Sequence, residues 1–251
     1  MADGLTLDGG AIDWSRPWFQ PYRQRGEALL ACIAHGCTVA EALNDALATA
    51  PIVREDGRAL RFVEQRCLPD GQAYEAFIHA EAAVPTRHNW HDFFNGLIWL
   101  HWPALKLRLN HWHAQALLDQ GGVGPQRGAL RDALTLLDEN AAFLSGPPAL
   151  LAALQRRDWP QLFIALRPLW REARLQIVGH ALLEKLLQPR KAICAHTLLQ
   201  PLDRMQPADL AAKPFHPLPV LGIPGWADQP QDADFYADAQ VFRRSALRQT
   251  S

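Results

Sequence analysis

The chain has 251 residues, of which 49% are hydrophobic and 20% charged, so it is long enough to bury a sizeable core. Its formal net charge is −1, and this near-neutral balance supplies no general attraction for DNA, RNA or acidic membranes. The N-terminus lacks the pattern of a signal peptide, and polar residues interrupt the longest apolar run, Phe93 to Leu105. We therefore expect a cytoplasmic protein without a membrane span.

Four cysteines, Cys32, Cys37, Cys67 and Cys194, occur along the chain. In a long chain without a secretion signal they are expected to be reduced thiols. Cys32 and Cys37 have no second pair at metal-binding spacing, which argues against a zinc knuckle.

The first predicted elements are two helices. One runs from Arg25 to His35 and ends at Gly36. Thr38 and Glu41 have the spacing of a capping box, so a second helix should follow to about Thr49.

A β-hairpin is predicted next. Leu60 to Cys67 partly alternates between apolar and polar residues, Pro69-Asp70-Gly71 is a turn sequence, and Ala73 to Ala80 would form the second strand. The second strand would lead directly into a segment rich in His and Trp.

That segment, His88 to Pro103, places three histidines and an aspartate among aromatic residues. Asp92 to Trp102 is predicted to be helical, and Pro103 suits the first turn of a following helix to Leu118. Lys106, Asn110 and His113 share one face of this second helix. Their face could meet the residues around His91 or simply face water.

The pattern between Arg131 and Leu144 fits either two short strands or a helix. Helices are predicted over 148–157, 158–171 and 180–187, with a short extended segment over 176–179. Prolines and apolar residues alternate after Pro214, which predicts an extended segment packed on the protein.

Together these elements predict an α+β fold: a helix-rich single domain over 1–251, with a small antiparallel hairpin sheet and an extended proline-rich C-terminal strap. The expected parts are an N-terminal arm (1–24), a body (25–213) and the strap (214–251).

Several segments of the chain resemble the proteobacterial family known as domain of unknown function 3025. The similar blocks are Asn89 to Asn95, Lys106 to Asn110, Arg131 to Asn140, Gly179 to Lys185 and Pro217 to Trp226. The resemblance implies one domain in a bacterial cytoplasm and carries no activity. Ala141 stands where the resemblance leads us to expect glycine, which weakens the case for a tight hairpin at that corner.

Two helix starts carry the strongest candidate chemistry. His91 and Asn95 lie four residues apart with Asp92 beside them, and a carboxylate next to an imidazole can prepare it to act as a general base. His180 and Glu184 have the same spacing and could share a metal ion, with His91 or Asp92 as the natural candidate for a further ligand. The first alternative is that His91 or Asp92 caps the helix while Asn95 fixes a loop. The second is that His180 and Glu184 share only a hydrogen bond on a helix surface.

Asp132, Asp138 and Glu139 form a third group, which could bind Mg²⁺ or Ca²⁺ or could be a solvated corner. We predict catalytic roles for His91, Asp92, Asn95, Asp132 and Glu184. A possible divalent metal ion would be held by His91, His180 and Glu184.

The leading functional hypothesis is metal-assisted hydrolysis in a pocket lined by His, Asp and Glu. The alternative is a non-catalytic binding or interaction protein in which these residues form a structural hydrogen-bond network. The expected partner is an unknown small molecule or protein. The sequence carries no strong nucleic-acid signal, and it does not define the oligomeric state.

Overall fold

The computed structural model describes residues 7, 12–119, 128–200 and 202–243. Ten α-helices lie in these ranges: α1 (Arg23–Ala34), α2 (Val39–Thr49), α3 (Tyr74–Glu81), α4 (Trp90–His101), α5 (Pro103–Asp119), α6 (Ala129–Asn140), α7 (Pro148–Arg156), α8 (His180–Lys185), α9 (Pro207–Ala211) and α10 (Ala233–Tyr236). Six strands accompany them: β1 (Arg61–Glu64), β2 (Ala83–Thr86), β3 (Ala141–Ser145), β4 (Arg174–Ile177), β5 (Cys194–Leu198) and β6 (His216–Pro219). The α+β class is confirmed.

The first helices form as the local sequence predicts. Thr38 accepts from the backbone N–H of Glu41, and the Glu41 carboxylate accepts from the Thr38 backbone, which completes the capping box. Helix α4 ends at His101 and α5 begins at Pro103, because proline suits the first turn of a helix.

The predicted hairpin is wrong. Residues 74–81 form helix α3, and β1 pairs in parallel with β2, residues 83–86. Phe77 and Ile78 are the buried residues of α3, and with Tyr74 they follow the three- and four-residue spacing of a helix face. The turn around Gly71 is present, with φ +78°, but it leads into a helix.

The second sheet has four strands in the order β4-β3-β5-β6 and is mixed. Strand β3 pairs antiparallel with β4 and parallel with β5, and β5 pairs antiparallel with β6. The sequence pattern over 131–144 fits either two short strands or a helix. The structure has both a helix and a strand there, with α6 followed by β3. Ala141 begins β3 in an extended conformation, so glycine is not required there.

The C-terminal residues contribute to both the sheet and the core. Strand β6 belongs to the predicted strap, and Leu218, Phe235, Tyr236 and Phe242 are buried. Residues 244–251 of the predicted strap, and 1–6 and 8–11 of the predicted N-terminal arm, lie outside the described residues. The predicted helix over 158–171 is replaced by a π-helical turn, Gln161–Ala165, and a 3-10 helix, Arg167–Arg171.

The cysteines do not all remain thiols, contrary to the sequence-based expectation. Cys32 and Cys37 form a disulfide across the turn between α1 and α2, with their Cα atoms 5.5 Å apart. Cys67 is exposed, and Cys194 is partly buried. The turn between α1 and α2 brings the two cysteines together. The number of cysteines in the sequence does not by itself predict this disulfide.

Because Cys67 is exposed, Cys194 is partly buried and Cys32 and Cys37 are bonded to each other, we predict that they are alkylated by iodoacetamide at different rates at pH 8. Cys67 should react first, because it is exposed. Burial raises the pKa of the Cys194 thiol to about 11, so little reactive thiolate forms there and its alkylation should be much slower. Cys32 and Cys37 should react only after reduction. Peptide mass spectrometry would measure all four, and rapid labelling of Cys32 without a reductant would contradict the prediction.

Among the helices in the described ranges, none combines the length and the apolar character that crossing a membrane requires.

Candidate functional site

The start of helix α4 is held by its own polar residues. Asn89 is the N-cap, and its side chain accepts from the backbone N–H of Asp92 at 2.9 Å. The buried Asp92 carboxylate accepts from the Arg87 backbone at 2.5 Å and from its guanidinium at 3.0 and 3.1 Å. Asp92 therefore fixes the segment entering α4, and Asn89, not Asp92, is the residue that caps the helix.

Helix α8 approaches the end of helix α6 closely because residue 179 is glycine. A Cβ atom at Gly179 would lie 2.5 Å from the Glu139 carbonyl oxygen and 2.6 Å from the backbone nitrogens of Asn140 and Ala141. No side chain fits this distance. The close approach carries His180, the first residue of α8, against the last turn of α6.

A continuous chain of contacts then joins helices α4, α8 and α6. His91 Nδ1 lies 2.9 Å from Glu184 Oε2, and His91 Nε2 lies 3.0 Å from His180 Nε2. His180 Nδ1 lies 2.8 Å from the backbone carbonyl oxygen of Asp138. The side chain of His91 is 34% exposed, whereas that of His180 is 6% exposed, so the chain runs inward from a residue that solvent can reach.

The hydrogen-bond partners of the two Nδ1 atoms determine which nitrogens of His91 and His180 carry protons. The Asp138 carbonyl can only accept, so Nδ1 of His180 carries a proton. An ionised Glu184 carboxylate likewise accepts a hydrogen bond, so Nδ1 of His91 also carries a proton. Two neutral rings in these tautomers would direct two lone pairs at each other across 3.0 Å. The contact is therefore favourable only with a positive species, a proton or a metal cation, between the Nε2 atoms.

The two histidines differ in basicity. The hydrogen bond to Glu184 raises the pKa of His91. Burial lowers the pKa of His180 to about 4. A proton shared by the pair would therefore reside on His91.

A buried ion pair lies behind His180. Lys106 Nζ contacts the Asp138 carboxylate, lies 2.8 Å from Asn95 Oδ1 and sits 5.2 Å from the centre of the Trp99 ring. Asn95 in turn donates to the Tyr74 hydroxyl at 3.0 Å. Burial tends to raise the pKa of Asp138, but Lys106 and His180 outweigh it and hold that pKa below its usual value. These residues form the Lys106–Asp138 centre: Tyr74, Asn95, Lys106 and Asp138.

The structure sorts the predicted site residues into three groups. His91, His180 and Glu184 meet directly, and Asn95 reaches them through Lys106 and Asp138. Asp92 faces Arg87 instead. Asp132 lies elsewhere, on the first turn of α6, where its side chain is 41% exposed and its nearest ion-pair partner is Lys213 at 3.6 Å.

Sequence reasoning missed or underrated three residues of the site. The sequence predicts a strand at Tyr74, and an acidic pair such as Asp138 and Glu139 is more typical of a solvated corner. Lys106 lies on a polar helix face that the sequence allows to face either His91 or water. The available signal is that lysine, asparagine and histidine recur every three to four residues along one face of this helix.

One group of three or more His, Cys, Asp or Glu residues in the described ranges has ligand atoms mutually close enough to hold a metal: Cys32, Cys37 and Asp45. Two of its members form the disulfide. At the histidine pair, Glu184 is hydrogen-bonded to Nδ1 of His91. Its carboxylate therefore does not lie next to the two Nε2 atoms as a third metal ligand.

The fold and the site define an α+β protein with a histidine pair enclosed between three helices and backed by a buried ion pair. The chain matches the family described as "Protein of unknown function (DUF3025)" over residues 60–209 and 202–246, well over half of its length. It therefore belongs to that family, and the resemblance noted from its sequence is confirmed. All residues of the site lie in the matched ranges. Comparisons with curated proteins and with solved structures find no match.

Proposed function

We propose that the chain is a metal-assisted hydrolase whose divalent cation binds between the Nε2 atoms of His91 and His180. The observation that carries this proposal is the 3.0 Å contact of two nitrogens whose rings are both anchored through Nδ1. Metal-binding histidines commonly donate their second N–H to a carboxylate or a backbone carbonyl. Glu184 and the Asp138 carbonyl supply one of each.

The spacing of the two nitrogens favours one coordination geometry over another. With metal–nitrogen bonds of about 2.0–2.1 Å, a 3.0 Å separation corresponds to an angle of roughly 91–97° at the ion. That angle suits an octahedral ion such as Mn²⁺, Co²⁺ or Ni²⁺ better than tetrahedral Zn²⁺. Water and substrate would fill the remaining positions, and the ion would make a bound water more acidic and so a better nucleophile.

In this proposal the predicted residues have different roles. His91 and His180 are ligands, and Glu184 orients His91 through Nδ1. Asn95 positions Lys106, and Asp92 holds the start of α4. Asp132 has no role in this proposal, because its side chain faces Lys213 on the first turn of α6.

Metal binding is the direct test. Protein purified without a histidine tag should be stabilised by added Mn²⁺, Co²⁺ or Ni²⁺, and His91→Ala and His180→Ala should each abolish the rise in Tm. His111→Ala, at an exposed histidine, is the matched control and should behave like the wild type. Protein that neither contains stoichiometric metal nor responds to these ions or to Zn²⁺ or Mg²⁺ would overturn the metal proposal.

The second candidate is a non-catalytic protein in which the same contacts form a structural network. It is favoured by the raised pKa of His91, due to the hydrogen bond with Glu184, because one proton shared with His180 satisfies the pair without a metal. Its binding partner would then be recognised elsewhere on the molecule.

Stability separates these two functions. If the pair is a site, His91→Ala and Glu184→Ala, measured in the presence of a chelator, should leave the free energy of unfolding nearly unchanged or raise it, because active sites are often strained. If it is a network, each change should lower the free energy of unfolding by about 2–4 kcal/mol through loss of buried hydrogen bonds. Urea unfolding with Glu184→Gln as the conservative control would distinguish the outcomes.

A further inference from the structure

A cavity away from the histidine pair has the size and lining of a small-molecule site. Its volume is about 320 Å³, within the range of known ligand pockets. The cavity lies between the first turns of helix α5 and the four-stranded sheet. Nothing in the proposed hydrolase function uses it.

The cavity floor is one row of side chains across three strands. Gln176 of β4 and Leu198 of β5 are the register partners of Phe143 on β3, on either side of it. All three line the cavity. The Gln176 amide makes no hydrogen bond to another described residue, so it can serve a ligand with both a donor and an acceptor.

The wall opposite the sheet is apolar and fixed in position. Trp102 and Leu105 line it, and the Trp102 indole donates to the Tyr22 hydroxyl at 3.1 Å, which holds the ring in place. Phe143 and Leu198 complete an enclosure for an aromatic or branched aliphatic group. An apolar body therefore gains most of its contacts here.

Two side chains of opposite charge form part of the cavity rim. The guanidinium of Arg108 donates one N–H to the Leu202 carbonyl at 3.1 Å, which leaves its other N–H groups available. Asp203, the next residue after Leu202, is exposed and has no ion-pair partner among the described residues. Both residues line the cavity. A ligand that matches this rim carries one anionic and one cationic group.

We propose that this cavity binds a small zwitterion with an apolar body, the chemistry of an apolar α-amino acid. The carboxylate would pair with Arg108 and the ammonium group with Asp203, while the side chain lies against Trp102 and Phe143. The proposal is independent of the histidine pair, so the failure of either leaves the other intact.

Four probes of related structure test the proposal by isothermal titration or ligand-observed NMR. L-Phenylalanine should bind, whereas 3-phenylpropionate, which lacks the ammonium group, and phenethylamine, which lacks the carboxylate, should each bind at least about tenfold more weakly. L-Serine, which lacks the apolar body, should not bind measurably. Equal binding of the three aromatic probes, or no binding of L-phenylalanine at millimolar concentration, would overturn the proposal.

Variants locate the binding. Ala104→Trp fills the cavity from an exposed position and should weaken L-phenylalanine binding at least about tenfold. Gln115→Trp, at an exposed position farther along the same helix, is the matched control and should leave binding unchanged. Asp203→Asn should weaken the binding of L-phenylalanine but not that of 3-phenylpropionate. Unchanged binding by Ala104→Trp would place the ligand elsewhere and overturn the assignment.

Discussion

Lys106→Met is expected to lower the free energy of unfolding by about 3–5 kcal/mol, the cost of leaving one charge of a buried pair without its partner. The Lys106 ammonium group contacts the Asp138 carboxylate and lies 2.8 Å from Asn95 Oδ1, in a position only 4% exposed. Methionine keeps the apolar stem but removes the charge. Urea denaturation, followed by circular dichroism, would measure the loss.

Two controls separate the charge effect from packing. Lys185→Met removes an exposed lysine that contacts Asn140, and surface changes of this kind usually alter stability by less than about 0.5 kcal/mol. Lys106→Met combined with Asp138→Leu removes both buried charges and should recover much of the lost stability. A loss below about 1 kcal/mol for Lys106→Met alone would show that the charge of Asp138 is relieved in some other way.

Gly179→Ala is the second change with a large expected effect. The new Cβ would lie 2.5 Å from the Glu139 carbonyl oxygen and 2.6 Å from two backbone nitrogens, and backbone atoms cannot rotate away as a side chain can. We expect a loss of about 3 kcal/mol, the upper end of the usual range for overpacking. Because α8 would move away from α6, the contact of His180 with the Asp138 carbonyl should lengthen as well.

The matched control for this change is Gly146→Ala. Its Cβ would meet Ala173 at 3.0–3.1 Å, a contact that small shifts can relieve, so the effect should be smaller. Thermal unfolding of both variants tests whether Gly179→Ala loses more stability than Gly146→Ala. An NMR spectrum in which the His180 ring resonances of Gly179→Ala match the wild type would contradict the proposed displacement of α8.

Local chemistry made some elements predictable from the sequence. The capping box at Thr38 and the proline at the start of α5 act within a few residues, and both elements form as predicted. The expectation that His91 and Glu184 meet also agrees with the structure, although they are 93 positions apart. That expectation depended on the cost of burying polar side chains without partners, which holds for any fold.

Other features depend on contacts that local patterns do not contain. Residues 73–80 are short and largely apolar, and a segment of that kind fits a strand or a helix equally until its neighbours are known. Asp138 follows two leucines near the end of a helix, where an acidic residue usually faces water. Its side chain is only 16% exposed because it pairs with Lys106 of α5. Arg87 engages Asp92 through its backbone and its side chain, so a predicted catalytic carboxylate becomes a helix anchor.

The proline-rich strand β6 has a consequence for assembly. It is an outer strand of the sheet, and Pro217 and Pro219 occupy alternate positions opposite His196 and Cys194. Proline has no N–H, so these positions lack the donors that a further strand would need. Exposed sheet edges are the usual starting points for aggregation and strand exchange between copies of a protein. Here the sequence that packs the C-terminal residues against the sheet also blunts the edge at which another chain could add.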